Sequence, residues 1–225
     1  VFCSGGPSLK DHLDDIRKLA RRKKHYVVCV KSAHDLLIEN KIIPWGCILL
    51  DPRAHVQDFI EHPHPKVIYF VASMCHPTTW DRLLESKATV LGYHAHVGAG
   101  ETDVLKERFP GGAIMLSGGC SAAMRGVSVL HAVGFRRFKM YGYDACFFEE
   151  PDWTAKQGNG DSKFLEVEVL GRTFWTDAEK VAQCQDFIKM MEHNKEIQME
   201  VFGPGMVPHI WNQKRTLLPQ FLDLL

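Results

Sequence analysis

Val1-Phe2-Cys3-Ser4-Gly5-Gly6-Pro7-Ser8-Leu9 opens the chain, and its reading decides the fold. Val1–Cys3 is short and apolar, and a glycine pair, a proline and a serine follow at once. That order predicts a buried strand ending in a tight turn that enters a helix. Glycines allow backbone amides to come close to an anion, and the helix points its positive end at the same place. Pro7 suits the first helical turn, and Ser8 adds a hydroxyl donor. The run is neither GxGxxG nor a Walker A loop, because no Gly-Lys-Ser/Thr follows. On local grounds a phosphate- or carboxylate-binding turn and a plain tight turn stand level. Val1 reads as the tail of a strand, so a few residues are expected upstream of it.

Working outward, short apolar runs alternate with longer amphipathic ones. Tyr26–Val30, Cys47–Leu50, Lys66–Val71, Thr89–Leu91, Arg136–Tyr141 and Ile197–Phe202 read as strands. Helices are expected from Ser8 to about Arg22, with Ser32 as a cap through Asn40, and from Asp51-Pro52 through Ile60. Further helices are expected over His76–Ser86, Glu101–Phe109, Ser121–Val133 with Gly134 as C-cap, and Thr176–His193. Phe164–Val169 and Arg172–Trp175 predict a hairpin across Leu170–Gly171, and Gly203–Pro208 predicts a turn. Glu149–Ser162 reads as a long loop able to order over bound ligand. The alternation predicts an α/β fold, a Rossmann-like three-layer sandwich with a mostly parallel central sheet. Residues 1–225 are expected to form a single domain, with 149–175 as a loop and hairpin insertion.

The composition supports one sizeable core: 225 residues, with 27 basic and 27 acidic side chains. That balance gives no whole-surface attraction to nucleic acid, and none is expected as a partner. No run approaches the roughly 18 apolar residues of a membrane span, and no secretory leader is seen. The seven cysteines include no CxxC pair, and Cys3, Cys29 and Cys47 sit in or beside expected buried strands as small hydrophobes. A reducing, cytoplasmic setting is expected.

Four segments carry chemistry. The first is Gly5-Gly6-Pro7-Ser8. The second is Asp51-Pro52-Arg53 at a strand end, where an acid can hold a sugar hydroxyl or cap the next helix. The third is Ser117-Gly118-Gly119-Cys120-Ser121, a second amide-rich helix entrance with Arg125 behind it; Gly126 equally permits close helix packing. The fourth is Tyr143-Asp144, a ring that can stack and a carboxylate that can act as base, hydroxyl ligand or cap. His94 and His96 are candidates for assisting a phosphate in transfer, or for metal ligation if His76 or Cys120 joins them. Cys120 lacks an identifiable paired base for a nucleophile. No metal is required by the sequence.

Taken in order, Ser4-Gly5-Gly6-Pro7-Ser8-Leu9, Asp51-Pro52, Ser117–Met124, Gly134-Phe135, Gly142-Tyr143-Asp144 and Gly171 with Thr176-Asp177 resemble the DUF115 family. That family includes MptE-like 6-hydroxymethylpterin pyrophosphokinases and the motility accessory factor proteins linked to flagellin glycosylation. Its central domain is similar to the Rossmann-like domain of bacterial CMP-sialic acid transferases. The resemblance implies that Gly5, Gly6, Pro7 and Ser8 surround a nucleotide phosphate, with Asp51 at the crevice, Ser121 at the second entrance and Asp144 at a later strand end.

The expected function is a nucleotide-sugar-dependent glycosyltransferase-like activity in surface glycan biosynthesis. Asp144, His94 and His96 are its candidate catalytic residues. Gly5, Gly6, Pro7, Ser8, Asp51, Ser117, Gly118, Gly119, Ser121 and Tyr143 are the candidate nucleotide-binding set. Partners are then a nucleotide or nucleotide-sugar and a glycan or small alcohol, with homo-oligomers admitted. An alternative is an ATP-dependent pyrophosphokinase of the pterin type, which needs Mg²⁺ with Asp51 and Asp144 as its placed carboxylates. Another is a non-enzymatic nucleotide-binding or assembly protein. NAD-dependent oxidation is weaker, because Val30-Lys31-Ser32 puts no acid at the end of strand two.

Overall fold

The structure is a computed structural model, and it describes residues 1–96, 99–112, 115–149 and 164–213. The strands are β1 (Phe2–Cys3), β2 (Val28–Val30), β3 (Gly46–Leu49), β4 (Ile68–Ala72), β5 (Thr89–Ala95), β6 (Met115–Leu116), β7 (Arg137–Tyr141), β8 (Phe164–Val169), β9 (Arg172–Asp177) and β10 (Gln198–Phe202). The helices are α1 (Leu13–Ala20), α2 (Lys31–Glu39), α3 (Pro77–Glu85), α4 (Ala99–Arg108), α5 (Ala122–Ala132) and α6 (Ala178–His193), and residues 206–213 are also helical. Eight strands form one sheet in the order β10-β7-β1-β2-β3-β4-β5-β6, and every pairing in it is parallel. The fold is therefore the α/β, Rossmann-like sandwich that the alternation predicts.

Side chains of the central strands alternate between two cores, as the period of a strand requires. Phe2, Val28, Val30, Ile48 and Phe70 pack under α5, α6 and the helical residues Met206 and Val207. Cys3, Cys29, Cys47, Tyr69 and Val71 face the other way, against Leu9, Ile16, Leu37 and Leu83. Cys3 pairs in register with Cys29, and Cys29 with Cys47, so three buried thiols form a row across the sheet. Burial pushes the Cys3 and Cys29 thiols up, which keeps them neutral and suits their use as small hydrophobes.

Several boundaries differ from the sequence reading for identifiable reasons. The helix expected from Ser8 is a 3₁₀ segment over Pro7–His12 that relaxes into α1. Ser8 is held there by a distant carboxylate, so its turn stays tight. Ser32 lies inside the first turn of α2, whose N-cap is Val30, without a side-chain cap. Asp51 is not a helix cap either: the segment that follows is a 3₁₀ helix over Ala54–Phe59 with Arg53 at its N-cap. β5 runs to Ala95 because it pairs with β4 and then with β6, overriding the weak strand preference of Gly92. The turn expected through Pro208 stops short, and the chain is helical from residue 206. The hairpin of β8 and β9 is antiparallel across Leu170–Gly171, both at positive φ as a tight two-residue turn needs. Most of the loop read as a lid, residues 150–162, lies outside the described residues.

Two local features carry stability predictions. α2 ends with Ile42 N–H donating to the Leu37 carbonyl and Lys41 N–H to that of Ile38. This is a Schellman ending, and it places Lys41 at φ 60°. α5 closes the same way with Gly134 at the equivalent place. Lys41→Gly is therefore expected to stabilise the protein by about 0.5–1 kcal/mol in chemical denaturation, since Lys41 is exposed and, among the described residues, its side chain is in no ion pair.

The second feature is His34, fully buried between Asp35 (Nδ1 to Oδ1, 2.7 Å) and the Tyr69 hydroxyl (Nε2, 2.8 Å). The Tyr69 hydroxyl accepts from His64 N–H at 2.9 Å, and Asp35 accepts from Glu61 N–H at 2.7 Å, so the group ties residues 61–64 to α2. Burial lowers the His34 pKa below its ordinary 6.5, against the pull of Asp35. The folded state thus binds fewer protons than the unfolded one just below that value. Its contribution is full above 6.5 and is lost as pH falls through the folded value. Thermal stability is expected to drop from about pH 7 to about pH 5, and to drop less in His34→Gln.

Candidate functional site

The chain lays β1 to β6 outward in sequence order, then returns to set β7 on the other side of β1. At such a reversal the loops leaving the two strands part to opposite faces, and a crevice opens beyond the strand carboxyl ends. Here Ser4–Pro7 after β1, Gly142–Glu149 after β7 and the first residues of α2 and α5 line a cavity of about 870 Å³. Lys180 and Gln183 of α6 close one side. A second cavity of about 390 Å³ lies next to it and shares Lys31, Ser121, Ala122 and Gln183 with it. Asp51, Arg53, Gly119, Cys120 and Glu179 belong to the smaller one.

Asp144 leaves the end of β7 and is 2% exposed. Its Oδ1 accepts from Ser8 Oγ at 2.7 Å and its Oδ2 from Ser8 N–H at 3.0 Å. Burial raises its pKa above the usual carboxylate value, and the two bonds from Ser8 work against that rise. Gly6 N–H donates to the Gly142 carbonyl at 2.7 Å. A Cβ at Gly6 would lie 2.4 Å from that carbonyl oxygen and 2.5 Å from Asp144 Oδ2, so only glycine fits. The turn after β1 is thus stitched to the turn after β7, and the amides of Gly6 and Ser8 are directed into the protein.

This alters the reading of the opening motif. Gly5, Gly6 and Pro7 line the larger cavity, but Ser8 is buried and lines neither. Its hydroxyl and amide serve Asp144 instead of an anion. The group facing that space is Lys31, at the start of α2, a residue the sequence reading passed over as merely not acidic. Lys10 and Lys180 also line the larger cavity. The signal for Lys31 was present in Val30-Lys31-Ser32, a cation where a strand enters a helix. Lys180 and Gln183 come from α6 and had no local signal at all.

Asp51 is engaged by Lys31 Nζ and by Arg53, whose Nε donates at 2.9 Å and whose amide donates at 3.0 Å. Burial alone would raise the Asp51 pKa, but the bonds from Arg53 and Lys31 prevail and hold it well below the carboxylate range. Ser121 caps α5, accepting from Met124 N–H at 3.2 Å, and its Oγ lies 3.1 Å from the Tyr143 hydroxyl. Tyr143 is itself buried against Phe187, and burial raises its pKa, so its ring is not a free stacking surface. Gly119 lines the smaller cavity, whereas Ser117 and Gly118 line neither.

His94 and His96 line neither cavity. Three strands separate β5, which carries His94, from β1. His94 Nδ1 meets Ser73 Oγ at 2.9 Å and its ring packs on Phe109, while the His96 carbonyl accepts from Arg125. His76 caps α3 with its own Nδ1. Among the described residues no group of three or more His, Cys, Asp or Glu is placed to hold a metal ion. Cys120 is exposed, but burial of its thiol and nearby Asp186 push its pKa up to about 11, which makes it a poor nucleophile.

The sequence model of the family described as 6-hydroxymethylpterin diphosphokinase MptE-like matches residues 1–150. The chain belongs to the MptE-like family. No curated protein matches it. The matched part runs from β1 into the segment after β7, and so carries both strands of the switch point, Asp144, Asp51 and Lys31. Lys180 and Gln183 lie beyond the match, on the helix that follows the hairpin. The MptE-like chain thus has a nucleotide-binding type of fold and the general association of its family with transferase chemistry. Among its described residues no helix is long and apolar enough to cross a membrane.

Proposed function

We propose that the protein is a diphosphoryl transferase that takes ATP in the larger cavity and an alcohol in the smaller one. The observation that carries this reading is the switch-point cleft of an MptE-like chain, faced by Lys10, Lys31 and Lys180. These three ammonium groups, two of them paired with Asp51 and Asp177 and sharing the walls with Asp11, Asp144 and Glu149, can turn to meet a polyphosphate, and the uncapped start of α2 adds a positive end beside Lys31. The smaller cavity has Leu50, Pro52 and Met74 beside already paired charges, which suits a ring-bearing neutral alcohol. Lys31 belongs to both spaces, where the transferred group would pass.

In the reaction the alcohol oxygen attacks the β-phosphorus of ATP. The bond from that phosphorus to the α,β-bridging oxygen breaks, AMP leaves with the electron pair, and the hydroxyl proton passes to solvent. The protein's part is to align the two substrates and neutralise charge. Mg²⁺ accompanies ATP in such chemistry. Asp51 and Asp144, the carboxylates expected for it, have their oxygens occupied by Lys31 and Arg53 and by Ser8. Among the described residues they belong to no cluster placed to hold a metal ion.

Family membership favours this reading over glycosyl transfer from a nucleotide-sugar, which the same cleft would hold by its phosphates. Incubation with ATP and a hydroxymethylpterin is expected to release AMP. Release of CMP from a CMP-sugar, with ATP untouched, would overturn it. Cys120 gives an independent check, because it is the exposed cysteine among the described residues and lines the smaller cavity. At alkaline pH, where its raised pKa still leaves thiolate, the alcohol is expected to slow its alkylation by a maleimide, and ATP alone is not.

A further inference from the structure

All eight strands of the large sheet are parallel, so every connection that enters a strand from a preceding helix reaches the same edge, opposite the cleft. Residues 21–27, 40–45, 60–67, 86–88, 133–136 and 194–197 are six such connections. Together they carry nine lysines and arginines and two carboxylates, in a chain whose formal net charge is zero. All nine cations are exposed, and among the described residues none is in a salt bridge with a side chain. One of the two carboxylates, Glu196, is paired with His131. Helix dipoles account for the cations at helix ends, but not for Lys66, which sits just before its strand.

Apolar side chains stand among these charges. Tyr26 is 47% exposed, Ile43 45% and Val133 57%. Tyr26 packs edge-on against Trp45 and Phe135, with ring centroids 5.2 and 5.5 Å apart, so it is held outward on a rigid aromatic base. Ile43 borders a cavity with Arg17, Arg21 and Lys41.

We propose that this edge docks on an anionic lipid surface, with Tyr26, Ile43 and Val133 entering the interface and the basic connections facing the headgroups. Charge complementarity selects an anionic partner. The outward aliphatic side chains Ile43 and Val133 select a lipid interface over a nucleic acid, whose phosphates are met by cations and whose bases stack on aromatic rings. The cleft lies at the opposite edge of the sheet and stays open to solvent in this orientation.

The test is flotation of the whole chain with vesicles of phosphatidylglycerol and phosphatidylcholine, against vesicles of phosphatidylcholine alone. Binding is expected only with the anionic lipid, and weaker at about 0.5 M than at about 0.1 M salt. Each cation near such a surface strengthens binding about fivefold, so Lys23→Glu with Lys24→Glu is expected to cost at least about 25-fold. Both are exposed, and circular dichroism checks that the variant folds. Ile43→Ser is expected to weaken binding severalfold with the charge unchanged. Absence of binding to the anionic vesicles at low salt overturns the proposal. So does tighter binding of a DNA oligonucleotide that is indifferent to Ile43→Ser, which would make the edge a nucleic-acid surface.

Discussion

Asp144→Ala is expected to lower unfolding free energy by about 3 kcal/mol, while Asp144→Asn costs about 1 kcal/mol. The alanine leaves the amide and hydroxyl of buried Ser8 without the acceptors they now have at 3.0 and 2.7 Å. Asparagine keeps both contacts: its Oδ1 accepts from Ser8 N–H, and its Nδ2 donates to Ser8 Oγ, which reverses role. Urea denaturation of the two variants measures the difference, and equal costs would show that the Ser8 bonds do not hold the turn. A cycle with Ser8→Ala is expected to give a coupling of roughly 1.5–3 kcal/mol, since the partners touch.

The same pair fixes a pH signature. Burial raises the Asp144 pKa above its ordinary 3.8, so between that value and the folded one the native state keeps a proton that the unfolded chain has lost. Stability from this group therefore falls as pH rises through the window. Asp144→Asn removes that fall. Asp51 runs the other way: its lowered pKa gives stability above 3.8 that is lost as pH drops further.

Lys31→Met is expected to weaken ATP binding by roughly 10–100-fold, the worth of one or two charge-assisted hydrogen bonds. Lys31 can turn to an incoming phosphate because Asp51 retains Arg53, whose Nε and amide donate to it at 2.9 and 3.0 Å. For the same reason the fold should survive the substitution, at a cost of about 1–3 kcal/mol for the lost bond of a largely buried pair. Lys180→Met is expected to cost less, because its ammonium is already held by Asp177 at 2.5 Å and lies 4.0 Å from the centre of the Phe147 ring. Calorimetric titration with ATP measures both. An unchanged affinity in Lys31→Met would remove Lys31 from the phosphate site.

The sequence by itself determined the order of strands and helices, and with it the parallel sheet. Apolar runs such as Tyr26–Val30 and Cys47–Leu50 are local signals, and a parallel sheet needs buried strands with a covering helix between them. It also brought Gly5, Gly6, Asp51, Ser121 and Asp144 forward, and the structure sets these around two adjoining cavities. Only the tertiary structure decided which of their atoms face the space. Ser8 and Asp144 are 136 residues apart in the chain, and their pairing turns a supposed anion-binding amide inward. The position of β7 beside β1 makes that contact, and no local pattern encodes it. His94 and His96 read as candidates because histidine chemistry is visible in any sequence, yet β5 carries them to the far side of the sheet. Lys31 and Lys180 went unnoticed for the converse reason: an isolated lysine acquires meaning only from the cavity that it faces.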